Sequence, residues 1–225
     1  LYENVLTLAS SEAVRVKTFS YKLSKRGNQL IADRLINHST RLAQKVGVDF
    51  FVFTEKEQNG EQFGERLASA FQQVFDKGYH RVISIGNDCP TLDLPNLQQA
   101  IIELQGHDVV VGPAKDGGVY LLGLTSNEFK ALGFEHLKWK TDQLVEDIFD
   151  KLTSGARIKL LDSLADIDHD KGLNEFLIFS ASELASRIKS LLQSFQSQWY
   201  GAHINTYVGK LIAQGSSRRG PPPTY

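Results

Sequence analysis

Apolar and polar positions along the chain follow two periods in turn. Short apolar, β-branched runs at 5–9, 49–54, 81–86, 108–112 and 119–124 predict strands, and 157–161 predicts one more. The segments between them carry apolar residues at helical spacing: 29–46, then 64–75 with Leu67, Ala70, Phe71, Val74 and Phe75, then 94–104 with Leu94, Leu97, Ile101 and Leu104. A further helix is predicted over 141–152, with Thr141 as its N-cap, and Gly78 and Gly155 stand where helices end. Strands this apolar leave no face for water. Their alternation with helices predicts an α/β fold with a mostly parallel sheet covered on both faces.

The stretch 81–124 carries the strongest local signal. Its first strand stops at Gly86-Asn87-Asp88-Cys89-Pro90, because Pro90 cannot donate to a ladder and biases Cys89 away from helix. Asp88 then stands at the carboxyl edge, outside which open α/β sheets form their ligand crevice. The helix at 94–104 reads as a crossover, and a second buried strand leads to Lys115-Asp116-Gly117-Gly118 and the next apolar run. Asp-Gly between two apolar runs is a hairpin signal, and a turn alone would explain these residues.

A length of 225 residues suits one domain with a sizeable core, or one domain and an appendage. With 25 basic and 26 acidic residues the net charge is −1, which leaves no basic footprint for nucleic acid. Cys89 is the single cysteine, so an internal disulfide is excluded and a reducing compartment, the cytoplasm, is expected. No apolar run is long enough to predict a membrane span, and positions 1–8 lack the basic flank of a signal peptide. Beyond 171 the pattern becomes a long helical region over 173–195. It is followed by the apolar residues Trp199, Tyr200, Ile204, Tyr207, Val208, Leu211 and Ile212, which need a partner, either the domain itself or a second copy in a homodimer. The final GSSRRGPPPTY is of disordered composition. The expected division is 1–172, 173–214 and 215–225.

Several side chains are candidates for chemistry. Asp88 is placed to hold a divalent cation against a phosphate, or only to accept backbone N–H groups in its turn. Asp166 and Asp168 lie two apart, so an extended segment turns both to one side; the alternative is a solvated loop or a cap for the helix after His169. Arg15 and Lys17 follow the first strand with the same spacing and suit phosphate oxygens. Gly64 and Arg66 open a helix whose positive end could approach a base or ribose. Cys89 has no histidine near it in sequence to activate it, and His80, His107, His136 and His169 show no zinc-ligand spacing.

GNDCP at 86–90 followed by GPAKDGGVYLLGL at 112–124 resembles the paired signature of the bacterial selenodomain-associated glycosyltransferases, a family of the nucleotide-diphospho-sugar transferase superfamily with the GT-A fold. RVKT at 15–18, FGERLASAF at 63–71, Trp139 with Thr141, and DID at 166–168 keep the family's order, so the resemblance covers the first three quarters of the chain. It implies a three-layer, Rossmann-like GT-A sheet and a metal-dependent transferase with a nucleotide or nucleotide-sugar donor and a small-molecule acceptor. Glycosyl transfer and nucleotidyl transfer to a phosphorylated small molecule both fit, and a non-catalytic nucleotide or sugar-phosphate binding protein is the alternative. The resemblance further implies Mg²⁺ or Mn²⁺ on Asp88 with Asp166 or Asp168, and donor phosphates on Arg15 and Lys17, with Lys17 also catalytic. It places the donor group on Asp116, Gly117 and Gly118, with Asp116 binding hydroxyls or acting as base, and puts Trp139 and Thr141 near the acceptor. The chain departs from the family at Asn87, where serine is usual, at Phe19, where arginine is usual, and at 10–14, which lack the family's proline and glycine. That last change predicts impaired nucleotide binding, because a backbone without glycine approaches phosphate less closely.

Overall fold

The structure, a computed structural model, describes residues 3–8, 17–21, 23–54 and 56–195. The apolar runs form the strands β1 (Glu3–Leu8), β2 (Asp49–Phe53), β3 (Arg81–Ile85), β4 (Val109–Pro113), β5 (Val119–Thr125) and β6 (Ile158–Leu160). They make one sheet in the order β2-β1-β3-β5-β4-β6. β1 runs parallel to β2 and β3, and β4 parallel to β6, whereas β5 is antiparallel to both β3 and β4. The reversal has a local cause. Only a tight turn separates β4 from β5, and a parallel return needs a crossover of a dozen or more residues.

Seven helices complete the described chain: α1 (Lys25–Lys45), α2 (Phe63–Phe75), α3 (Leu94–Gly106), α4 (Ser126–Leu132), α5 (Leu144–Lys151), α6 (Asp170–Phe179) and α7 (Glu183–Phe195). Alternate strand residues feed two cores. Val82, Val109, Val111, Leu122 and Leu124 pack with Leu67, Phe71 and Val74 of α2, Phe129 of α4 and Ile148 of α5. Ile83, Ile85, Val110 and Leu121 pack with Leu42 of α1 and Leu97, Ala100, Ile101 and Leu104 of α3. The result is three layers, with the sheet buried between two sets of helices. Gly123 in mid-β5 marks how closely they meet: a Cβ there would lie 3.2 Å from Ile83 and 3.3 Å from Leu104 and Val110.

By contacts the chain divides into two compact units, Leu1–Ser180 and Ala181–Tyr225. The helical region expected over 173–195 is two helices, because Ser180 is extended (φ −89, ψ 127) and the Ser182 hydroxyl accepts the Ala185 N–H at 3.1 Å to start α7. Among the described residues no helix is long and apolar enough to cross a membrane. The apolar residues from Trp199 to Ile212 and the terminal tail lie outside the described residues.

α1 begins at Lys25, ahead of the expected 29, for a reason that spans several turns of chain. Ser24 caps it by accepting the Gly27 N–H at 3.2 Å. Asn28, buried beneath, accepts the Ser20 N–H at 2.9 Å and donates to the carbonyls of Ser20, Leu23 and Ser24 at 3.0, 3.3 and 3.3 Å. One amide thus pins the segment that presents Lys17. Asn28→Ala strands several of these buried groups, and urea unfolding should show a loss of about 2–3 kcal/mol.

Candidate functional site

At the carboxyl end of β3 the chain is fixed from two sides. The Gly86 N–H donates to the Tyr120 carbonyl at 2.8 Å, and the Ser39 hydroxyl of α1 donates to the Gly86 carbonyl at 3.2 Å. Downstream of β6 a late segment runs along the end of β4: Leu161 N–H bonds Val111 O at 2.8 Å, Leu164 N–H bonds Pro113 O at 3.1 Å, and Lys115 N–H returns to Leu164 O at 3.0 Å. It then crosses to the β3 loop, where the Ile167 N–H donates to the Asp88 carbonyl at 2.8 Å and Thr91 donates to the Ala165 carbonyl at 3.4 Å. Tyr120 helps hold this path, its hydroxyl donating to the Asp162 carbonyl at 3.1 Å. Ile167 is buried, so the residues on either side of it, Asp166 and Asp168, turn together toward the sheet edge.

Four carboxylates and one ammonium meet there. Oxygens of Asp116, Asp166 and Asp168 lie within 4.8 Å of one another. The Asp166 carboxyl is pushed up to about 7, first by burial and then by the neighbouring charges of Asp116, Asp168 and Asp88. Asp88 itself is engaged differently. Its Oδ2 lies 3.0 Å from Lys17 Nζ, which also forms an ion pair with Asp168. Burial pulls the Lys17 ammonium toward neutrality, but Asp88 and Asp168 outweigh it and hold its pKa above the ordinary value. The buried Phe19 ring lies 5.8 Å from the same nitrogen.

These groups line a hollow of about 480 Å³. Lys17, Asp88, Asp116, Gly118, Asp166 and Asp168 share it with an apolar set that includes Phe63, Leu67, Trp139 and Leu144. Of the remaining sequence candidates, Gly117 serves the β4–β5 turn. It has φ +97 and donates to the Ala114 carbonyl at 3.1 Å, and a Cβ there would meet the Asp142 backbone at 2.4 Å. Gly64 lies against Trp139, where a Cβ would sit 2.4 Å from the indole nitrogen and 2.6 Å from the Phe134 carbonyl. Arg66 donates to the Glu61 carbonyl of the loop before its own helix. Thr141 makes the turn ahead of α5, bonding Lys138 O at 2.8 Å and Gln143 N–H at 3.3 Å, while the helix starts at Leu144 with Gln143 as its cap. Cys89 is buried, and burial chiefly pushes its thiol up to about 11. Arg15 and the altered loop at 10–14 lie outside the described residues.

Phe63 and Lys140 line the hollow without standing among the site candidates read from the sequence. Phe63 opens α2 and sets its ring edge-on to Trp139, with centroids 5.1 Å apart at 72°. Lys140 holds φ +62, the only non-glycine positive φ among the described residues. Its neighbours Trp139 and Thr141 signal the segment, but nothing in the sequence marks the strained turn.

The donor set is hard oxygen, the kind Mg²⁺ and Mn²⁺ take. Burial first, and then the like charges of Asp116, Asp168 and Asp88, raise the Asp166 carboxyl, so these described carboxylates stand close enough to repel one another. A divalent cation fits these residues.

Two outcomes follow from this geometry. Folded Asp166 keeps its proton to about pH 7, whereas an ordinary carboxyl loses it near 3.8. Its contribution to stability is therefore greatest at acid pH and falls as pH rises toward neutrality. Without metal, Asp166→Asn should flatten the decline in melting temperature between about pH 5 and about pH 8, and melt higher than the parent at the upper end. A helix Gly→Ala change ordinarily stabilises by about 0.5–1 kcal/mol. Gly64→Ala should instead cost about 1–3 kcal/mol in urea unfolding, with a shift in Trp139 fluorescence, because the indole must move.

Comparison with known proteins places the fold. The "putative nucleotide-diphospho-sugar transferase" of Desulfovibrio desulfuricans G20 superposes with TM-score 0.71 at 22% identity, over 85% of this chain and 94% of that one. The bifunctional IspDF of Campylobacter jejuni superposes with TM-score 0.52 at 12% identity, over 78% of this chain and 54% of that one. No curated protein matches the sequence. The fold is thus one that this chain shares with both proteins. Residues 29–141, half of the chain, match the family described as uncharacterized proteins conserved in bacteria (DUF2064), and the chain belongs to that family.

Proposed function

We propose that this protein is a metal-dependent transferase that uses a nucleotide-activated donor, with a sugar or a nucleotidyl group passing to a small-molecule acceptor. The observation that carries the reading is the convergence of Lys17, Asp88, Asp116, Asp166 and Asp168 in one hollow at the carboxyl edge of the sheet. The reading is favoured by the fold, which the chain shares with the Desulfovibrio protein.

Asp166 and Asp168 would hold Mg²⁺ or Mn²⁺, which when bound neutralises donor phosphate oxygens and the charge of the departing phosphate. The other roles belong to the chain's own groups. Lys17, fully charged and four-fifths buried, offers an ammonium to phosphate oxygens where negative charge develops. Asp88 positions that ammonium through the 3.0 Å contact. Asp116 is exposed at the hollow and is the carboxylate able to take a proton from an acceptor hydroxyl. Gly118 donates its N–H to Asp116 at 2.9 Å and orients it. The single, buried cysteine suits a cytoplasmic setting.

Thermal melting with Mn²⁺ and a panel of nucleoside diphosphates and nucleotide sugars tests the proposal. At least one nucleotide should raise the melting temperature only when Mn²⁺ is present. Asp168→Asn should abolish that shift, and Lys17→Met should keep the response to Mn²⁺ alone while losing the nucleotide's share. A nucleotide shift that survives unchanged in both Asp166→Asn and Asp168→Asn would refute the metal site. Hydrolysis of one donor by the parent protein, absent from Asp116→Asn, identifies an enzyme; binding without turnover across the panel identifies a binding protein.

A further inference from the structure

The carboxylates and Lys17 account for only part of the hollow. The rest is walled by Trp139, Phe63, Leu67, Leu144 and Val119. These side chains present no free hydrogen-bonding group, because the one polar atom among them, the Trp139 indole N–H, is spent on the Phe134 carbonyl at 2.7 Å. The wall is also built in advance. Gly64 leaves room for the indole, Phe63 packs edge-on against it at 5.1 Å, and the Trp139 backbone N–H closes a tight turn onto Leu137 O at 2.8 Å. A surface of this kind selects an apolar ring by excluding water, and it penalises a nucleobase whose edge groups would go unpaired.

Lys140 lines the same hollow from a left-handed backbone position that disfavours any side chain. The turn that imposes it is braced by the Thr141 hydroxyl on Lys138 O at 2.8 Å. Neighbouring Lys138 bonds Gln143 at 2.9 Å, and Lys17 is held by two aspartates, but among the described residues no carboxylate pairs with Lys140. A strained backbone therefore brings an exposed lysine that pairs with no described carboxylate into the lining beside an apolar wall.

We propose that this compartment receives an acceptor with an apolar, ring-sized body and one anionic group, the body against Trp139 and Phe63 and the anion on Lys140. Calling the ligand an acceptor rests on the transferase reading above; the compartment's chemistry does not.

The probe is 1-anilinonaphthalene-8-sulfonate, an apolar ring system with one anion, beside the uncharged N-phenyl-1-naphthylamine. The full chain carries Trp199→Phe, so that Trp139 is the only indole of the two in the sequence. Saturable sulfonate binding with quenching of Trp139 is expected. Lys140→Gly keeps the turn, since glycine adopts this φ freely, and should weaken the sulfonate about tenfold while leaving the neutral probe unchanged; Lys140→Arg should restore it. Equal sulfonate affinity in the parent and Lys140→Gly, or binding without Trp139 quenching, overturns the proposal. So does displacement of the probe by a nucleotide with Mn²⁺, which would give the wall to the base and leave the transferase reading standing. Conversely, probe binding intact in Asp166→Asn, with no nucleotide bound by any variant, supports the compartment and removes the transferase reading alone.

Discussion

Carboxylates do not gather without something to hold them, and here two devices do so. The first is covalently remote and electrostatic: the Lys17 ammonium, in contact with both Asp88 and Asp168. The second is a backbone bond, the Ile167 N–H on the Asp88 carbonyl, which ties the late strand-like segment to the loop after β3 whatever the charges do. Mutual repulsion remains, and it is expressed where burial is added to it, at Asp166. Among the described residues the site is thus held together by structure and left short of positive charge, the condition under which a bound cation contributes most.

The reversed strand β5 completes this arrangement. Because the β4–β5 turn is short, Asp116 is delivered to the same edge as Asp88 rather than to the far end of a crossover. The turn and the site are therefore one feature. Gly117 supplies the positive φ, Gly118 donates to Asp116, and the carboxylate that closes the turn also faces Asp166 and Asp168. Reading Asp116-Gly117-Gly118 as a hairpin or as part of a binding site sets up a choice that the geometry does not require.

The parts of this molecule governed by local periodicity were legible in the sequence: the apolar strands, the spacing of α2 and α3, and Asp88 at a strand end marked by Pro90. So was the shared direction of Asp166 and Asp168, which needs only an extended segment. The partition of charges was not, since pairing Asp88 with Lys17 and grouping Asp116 with the late aspartates depends on how separate segments cross. The start of α1 was hidden for a similar reason, because Asn28 reaches back to Ser20 to stabilise it. Thr141 has the chemistry of an N-cap but spends it on the turn before α5. Lys140 left no trace, as a strained φ is imposed by the turn and not preferred by the residue.

The start of α2 shows how a helix N-terminus is covered by its own side chains. Its outer N–H groups would attract a phosphate, as such ends commonly do. Here the Glu65 carboxylate folds back over that end and accepts the N–H groups of Glu61, before the helix, and of the cap residue Gln62 at 2.7 and 3.0 Å, and those two hydrogen bonds hold its pKa down. Arg66 turns back to the Glu61 carbonyl, and Gly64 is covered by the Trp139 indole. An arriving phosphate would have to displace a carboxylate that is already bonded and an aromatic ring that is already packed. Lys17, by contrast, offers an ammonium that is already shared between Asp88 and Asp168 and has part of its side chain open to the hollow. The small residue that a phosphate-binding loop would use for close approach is used at Gly64 to seat the Trp139 indole.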